Sequence, residues 1–265
     1  MERPDWFRCN DGAFAELTFR VRLVDIVERT AKSWEGTEHG DAAQSLLEVV
    51  ATLRNDSTLT PIDTLPSFPL VQGQRFSHYP FLHVEVYLYH AMLHRFGYFD
   101  PQSKRARLDI FKPQKRAARQ QCATAMGEVL SEDSSGVTTL SYLMSSYWGN
   151  RTDLSLHALH QAAVHRSGEE RLILVNDSQR IADHLESLDK GSQCDIVVDN
   201  YCFELFNDLL LAKHLANKRG LKVWIHCKAY PIFVSDAMLA DCRELVDELD
   251  MANAVLLRED AYWNS

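Results

Sequence analysis

The stretch Asp195-Ile196-Val197-Val198-Asp199-Asn200-Tyr201-Cys202-Phe203-Glu204-Leu205-Phe206-Asn207-Asp208-Leu209-Leu210-Leu211-Ala212 constrains the chain most. Ile196 to Val198 is an apolar run of strand length, too short for a helix, and reads as a buried strand. It stops at two oxygen-bearing side chains, Asp199 and Asn200, after which Phe203, Phe206, Leu210 and Leu211 recur at helical spacing. A strand, an abrupt polar turn and an amphipathic helix belong to a parallel α/β sheet, where ligands bind outside the carboxyl ends of the strands. Asp199 and Asn200 fall at such an end. Their hard oxygens suit Mg or Mn better than Zn. The same pair also reads as an Asx turn capping the helix that follows.

The rest of the chain changes period part-way. Phe14, Leu17, Val21, Val24 and Val27 predict an amphipathic helix over 14–35, and a second helix is expected over 41–53. Prolines 61, 66 and 69 mark 55–74 as a connector, and the aromatic-rich span 81–96 predicts a buried helix. Lys104 to Arg119 holds seven basic residues against Asp109 alone, and is expected to be a solvated helix face. Beyond it, 172–175, 196–198 and 223–225 read as three short strands with helical patterns between them. Ala254 to Leu257 reads as a fourth strand or a helix end. The expectation is a helical N-terminal region over 1–135 and a Rossmann-like α/β/α domain with a mostly parallel sheet over 136–265.

Charge and composition narrow the partners. With a net charge of −9, neither nucleic acid nor an anionic membrane is expected as the main partner. No apolar run approaches the ~20 residues of a membrane span, and the N-terminus shows no secretory core. The six cysteines are scattered without a CxxC pair, which suits a reducing cytoplasmic setting, the nucleus included. His90 and His94 stand four apart on one predicted helix but lack the glutamate of a zinc motif, so packing histidines are expected. His157, His160 and His165 have no companion cysteines and stay unassigned. His226 and Cys227 are adjacent in a strand and face opposite sides, which denies them a joint catalytic role.

A second acid, Asp236, follows the next strand and can stand at the same sheet edge as Asp199 and Asn200. The three can converge on one divalent cation and leave positions for water and a phosphate oxygen. Lys228 lies at that edge too, placed to neutralise phosphate, and Glu204 sits one helical turn past Asn200. Both also read as ordinary surface charges.

Six blocks in order resemble the damage-control phosphatase family, subfamily III, also called acidic residue methyltransferase. They are Gly12-Ala13-Phe14-Ala15, the helix around Tyr79 to Tyr89, Trp148-Gly149-Asn150-Arg151-Thr152-Asp153-Leu154-Ser155, Leu174 to Asp177, Val198-Asp199-Asn200 with Phe203-Glu204-Leu205, and Lys228 to Asp236. The resemblance implies a metal triad on Asp199, Asn200 and Asp236, with Asp199 as ligand or nucleophile. It places substrate contacts on Glu204 and Lys228, and on Asn150 and Asp153. It implies hydrolysis of small phosphometabolites such as sugar phosphates with Mn, Co, Ni or Mg. The family's second name brings a different expectation, an S-adenosylmethionine-dependent carboxyl methyltransferase, although no G-x-G loop follows a predicted strand. A third is a non-catalytic relative. Two departures stand out. Cys202 replaces the glycine that the family carries before Phe-Glu, where a Cβ alters the turn. The family's Lys-Gly-Asp-Leu-Asn-Tyr block and Arg-Thr-x-Lys signature, which the family carries after the Lys228 to Asp236 block and which are both expected to grip phosphate, do not follow Asp236 in these residues. A C-terminally truncated member, holding the metal half of the centre, is the expectation.

Overall fold

A computed structural model describes residues 8–65, 73–131, 136–149 and 173–260. The chain divides into two compact units, 1–114 and 115–265.

In the first unit, α1 (Gly12–Leu17) runs through a π-helical turn (Thr18–Arg22) into α2 (Leu23–Trp34), so the helix expected over 14–35 is present. Of its predicted apolar face, however, only Val24 and Val27 are buried. Phe14, Leu17 and Val21 lie exposed, and before the π-helical turn ends Ala15, Thr18 and Phe19 face the core instead. Leu23, Val27 and Ala31 are fully buried along one stripe of α2, which packs on α3 (Gly40–Arg54). The α3 helix packs in turn on α4 (Phe81–Phe96). Trp34 closes the layer by donating its indole N–H to the Ile110 carbonyl at 2.7 Å. The α4 helix ends at Gly97, whose φ of +87° lets the chain turn back, with Tyr98 N–H returning to the Leu93 carbonyl. A side chain there would press on Ser103, since a Cβ falls 2.6 Å from its hydroxyl.

The second unit takes in most of α5 (Lys112–Ser131), then α6 (Thr139–Trp148), α7 (Ser178–Ser187), β1 (Gln193–Val197) and α8 (Phe203–His214). After α8 follow a π-helical turn (Leu215–Arg219), β2 (Lys222–Lys228), α9 (Leu239–Glu248) and β3 (Val255–Asp260). Cys122, Ala125 and Met126 of α5 join the core of this unit, so the helical pattern that ends near 131 serves the α/β part. The sheet is wholly parallel, in the order β1-β2-β3, with Ile196, Ile225 and Leu257 in register. Val223, Ile225 and Cys227 alternate onto the core face. They share one cluster with Leu205, Leu209 and Ala212 of α8 and with Cys242, Leu245 and Val246 of α9. Mixed α/β architecture with a parallel sheet is therefore the observed class.

Three expectations need correction. Ile196 to Val198 is not a fully buried strand. It lies in a strand that is at the edge of the sheet among the described residues and ends at Val197, which is 74% exposed, and burial is complete only at Val198. Residues 173–175 form no strand, and Leu174 and Val175 lie exposed, because among the described residues no neighbour supplies a ladder. Residue 172 lies outside the described set. The basic stretch 104–119 is not uniformly solvated, since Lys115 is 4% exposed and reaches Asp241 at 2.7 Å.

That ion pair joins α5 to the first turn of α9, where the same Asp241 oxygen, Oδ2, also accepts the Met238 backbone N–H at 2.9 Å. Lys115→Ala leaves a poorly solvated carboxylate without its cation, and about 3 kcal/mol of stability should be lost. Urea unfolding followed by circular dichroism measures this; a loss below about 0.5 kcal/mol would place the pair among inconsequential surface bridges.

Candidate active site

The carboxyl edge of the sheet is assembled by backbone before any side chain contributes. Val198 N–H continues the ladder to the His226 carbonyl at 3.1 Å. Tyr201 N–H donates to the Ser235 carbonyl at 2.6 Å, and Ala237 N–H to the Asp199 carbonyl at 2.8 Å. These bonds form an antiparallel bridge between Asn200 and Asp236. Lys228 N–H donates to the Ala237 carbonyl at 3.0 Å, which pins the end of β2 to the same loop. The turns after β1 and β2 are thus zipped together, and the residues expected to meet do meet.

Their side chains form one polar cluster. Lys228 Nζ lies 2.6 Å from Asp199 Oδ1 and 3.2 Å from Asp236 Oδ1. Asp236 is 1% exposed, and its other oxygen accepts the Phe233 N–H at 2.9 Å. Asn200 Nδ2 donates to Glu204 Oε2 at 3.0 Å, while Asn200 Oδ1 accepts from the Ser235 hydroxyl at 2.6 Å. Burial pushes the Asp236 carboxyl up, against the Phe233 and Lys228 bonds that favour its ionised form. Burial also raises Glu204, with the Asn200 amide opposing it. For Lys228 burial alone would lower the pKa, but the bonds and charges of Asp199 and Asp236 outweigh it and the net direction is up.

Further groups enter that the sequence reading did not single out. Ser235, next to Asp236, orients the Asn200 amide. Asp208, one turn past Glu204 on α8, is buried among leucines and accepts a hydrogen bond from the Ser146 hydroxyl of α6. Burial raises its carboxyl to about 7, and the charges of Glu204 and Asp199 push the same way. The helical spacing 200, 204, 208 was the available signal for it. Gly149 permits the close approach of α6 to α8, because a Cβ there would fall 2.7 Å from the Glu204 Cα.

The turn into α8 is not an Asx cap. Cys202 is the N-cap residue, with φ +79° and ψ −124°, and makes no capping bond through its side chain. This is a conformation natural to glycine. The Cys202 thiol is buried, 3.6 Å from the Ala118 carbonyl.

Other candidates separate from this edge. Asn150 and Asp153 lie outside the described residues, as do His157, His160 and His165. His90 is a core residue of the first unit, 2.8 Å from the Thr64 hydroxyl and stacked on Phe99; burial draws its pKa down to about 4. His226 turns to Asp195 at 2.7 Å while Cys227 faces the core, as strand alternation requires. Among the described residues no three His, Cys, Asp or Glu side chains gather as a metal set. The candidate donors are instead two carboxylates and a carboxamide, converging where one positive charge already sits.

A family model described as the damage-control phosphatase ARMT1-like domain matches residues 18–263. The chain belongs to this family. Damage-control phosphatase ARMT1 of Xenopus tropicalis is 27% identical over 299 residues, covering 92% of this chain and 67% of that protein. The Homo sapiens protein of the same name is 24% identical over 300 residues, covering 91% and 67%. The Bos taurus protein reaches 36% over a shorter 124 residues, 42% of this chain and 28% of its own length. The chain thus spans about two thirds of the length of the Xenopus tropicalis and Homo sapiens relatives. A solved DUF89 family protein from Pyrococcus horikoshii shares the fold, with a TM-score of 0.52 at 10% identity over 91% of this chain and 71% of that one. Family membership supports phosphatase chemistry in general terms.

Two measurements follow from this geometry. At position 202 the usual order of stabilities should invert: Cys202→Gly should be more stable than Cys202→Ala by about 1 kcal/mol, because only glycine relieves the positive φ. Chemical denaturation of the two variants decides it, and alanine equal to or better than glycine would contradict the strain. At Asp208 the folded-state pKa lies above the ordinary 3.8, so the stability it contributes is full below that value and lost as pH rises through about 7. The stability of the native chain relative to Asp208→Asn should therefore fall by up to about 4 kcal/mol between those limits. A pH-independent difference would show that Asp208 ionises normally.

Proposed function

We propose that this protein is a divalent-metal-dependent phosphomonoesterase acting on small phosphorylated metabolites such as sugar phosphates. The observation that carries the reading is the meeting of Asp199, Asn200 and Asp236 at the carboxyl edge, around a point able to hold a positive charge. Two carboxylates and a carboxamide are hard oxygen donors, which fit Mn, Mg, Co or Ni in an oxygen-rich set. When bound, the ion supplies Lewis-acid polarisation of a phosphoryl oxygen.

The remaining roles belong to the chain's own residues. The Asp199 and Asp236 carboxylates and the Asn200 carbonyl oxygen would hold the ion, with Ser235 fixing the amide. Asp199 is the more exposed carboxylate and can serve as ligand or as nucleophile toward phosphorus. Glu204, one helical turn past Asn200, is placed to accept a hydrogen bond from a substrate hydroxyl. Lys228 is placed to neutralise a phosphate oxygen. The resemblance adds Asn150 and Asp153 as substrate contacts. Water then takes the phosphoryl group, and the alcohol leaves with a proton.

Release of inorganic phosphate from a panel of sugar phosphates, with Mn, Co, Ni or Mg supplied in turn, tests the proposal. Turnover should require the metal, stop on chelation, and fall by at least about 100-fold in Asp199→Asn and Asp236→Asn. Hydrolysis that survives a chelator, or that persists unchanged in both variants, would defeat it.

A further inference from the structure

We propose that Lys228 is a built-in occupant of the cation site, and that a divalent ion must evict its ammonium group in order to bind. The inference rests on the reading of Asp199, Asn200 and Asp236 as a metal set. Lys228 Nζ is bonded to one oxygen of each aspartate, at 2.6 and 3.2 Å. A divalent ion held by those oxygens sits about 2.0–2.6 Å from each of them. The ion and the ammonium group would then share one small volume between the two carboxylates, where like charges exclude each other.

The surroundings explain why such an occupant is useful. Asp236 is almost wholly buried, and a buried carboxylate without a cation is costly. Asp199 stands within the same ammonium's reach, so two acids would face each other if nothing lay between them. Lys228 removes both problems in the absence of metal. Its backbone is fixed, since its N–H bonds the Ala237 carbonyl and its Cα pairs with Met238 and Asp260. Only the flexible four-carbon side chain has to move, and that side chain is partly open to solvent. Once displaced, the ammonium group stays tethered at the carboxyl edge, where a phosphate would arrive. The same residue would therefore serve as counter-ion to the acids before metal entry and as counter-ion to the phosphate after it. A tethered competitor has a high local concentration and weakens ion binding, so a divalent ion has to prevail through its double charge.

The test is a Mn titration by calorimetry on the whole chain, comparing the native protein with Lys228→Met and Asp199→Asn. Lys228→Met should bind Mn at least about tenfold more tightly, because no internal cation has to leave. Its melting temperature without metal should drop, and Mn should raise it by more than in the native protein. Equal or weaker binding by a folded Lys228→Met would overturn the exchange while leaving the metal site standing. No binding by either protein, with Asp199→Asn indistinguishable from native, would sink the metal reading as well. Should Lys228→Met fail to fold without metal, the native chain gives the answer through amine acetylation read by mass spectrometry. Labelling of Lys228 should quicken several-fold on addition of Mn as the side chain leaves the aspartates. Unchanged or slower labelling would overturn the proposal.

Discussion

A carboxylate buried as deeply as Asp236 requires a positive charge, and the carboxyl edge of the sheet is built around that requirement. Asp236 receives one backbone N–H, from Phe233, and one ammonium group, from Lys228. Asp199 shares the ammonium, and Asn200 is drawn alongside by the antiparallel bridge to Asp236. If the charge requirement were absent, nothing would oblige the turns after β1 and β2 to bring two acids together. Once it is present, those turns have to be zipped by backbone bonds, because side chains alone would not hold like charges in place. The chemistry of the site and the local architecture are two consequences of one buried charge.

The sheet supplies the rigidity. The central strand β2 packs Val223, Ile225 and Cys227 against α8 and α9, and it ends at Lys228 itself. The α8 helix begins three residues beyond Asn200 and carries Glu204 into the cluster on its first turn. Close packing at its N-terminal end makes two demands. Gly149 lets α6 approach Glu204, and Cys202 adopts a positive φ to start the helix on time. The strained Cys202 backbone thus lies between the polar cluster and the apolar core, two residues past Asn200.

Much of this was legible in the residues. Apolar spacing located α2 and α4, and the strand-turn-helix pattern around 196–212 placed Asp199, Asn200 and Glu204 at one edge. The position of Asp236 after the following strand brought it to the same edge. Other features depend on pairing, which a local pattern does not carry. Leu174 and Val175 have the composition of a strand but lie exposed and, among the described residues, without a ladder, and Val197 sits in an edge strand of the described sheet. Lys115 looked like one more solvated base, yet α9 offers it Asp241. Ser235 is a functional candidate through a partner far away in sequence, Asn200, and Asp208 through its bond from Ser146 as well as its helical spacing from Glu204. The glycine-to-cysteine departure at 202 did point to a strained turn, and the positive φ is there.

The central claim is that the oxygens of Asp199, Asn200 and Asp236 hold one divalent cation. A crystal of the protein soaked in Mn, with anomalous scattering collected at the metal edge, addresses it directly. The account predicts a single strong peak about 2.0–2.6 Å from oxygens of all three side chains, with the Lys228 ammonium displaced from between the aspartates. An absent peak, or one bound elsewhere while Lys228 still bridges Asp199 and Asp236, would contradict it.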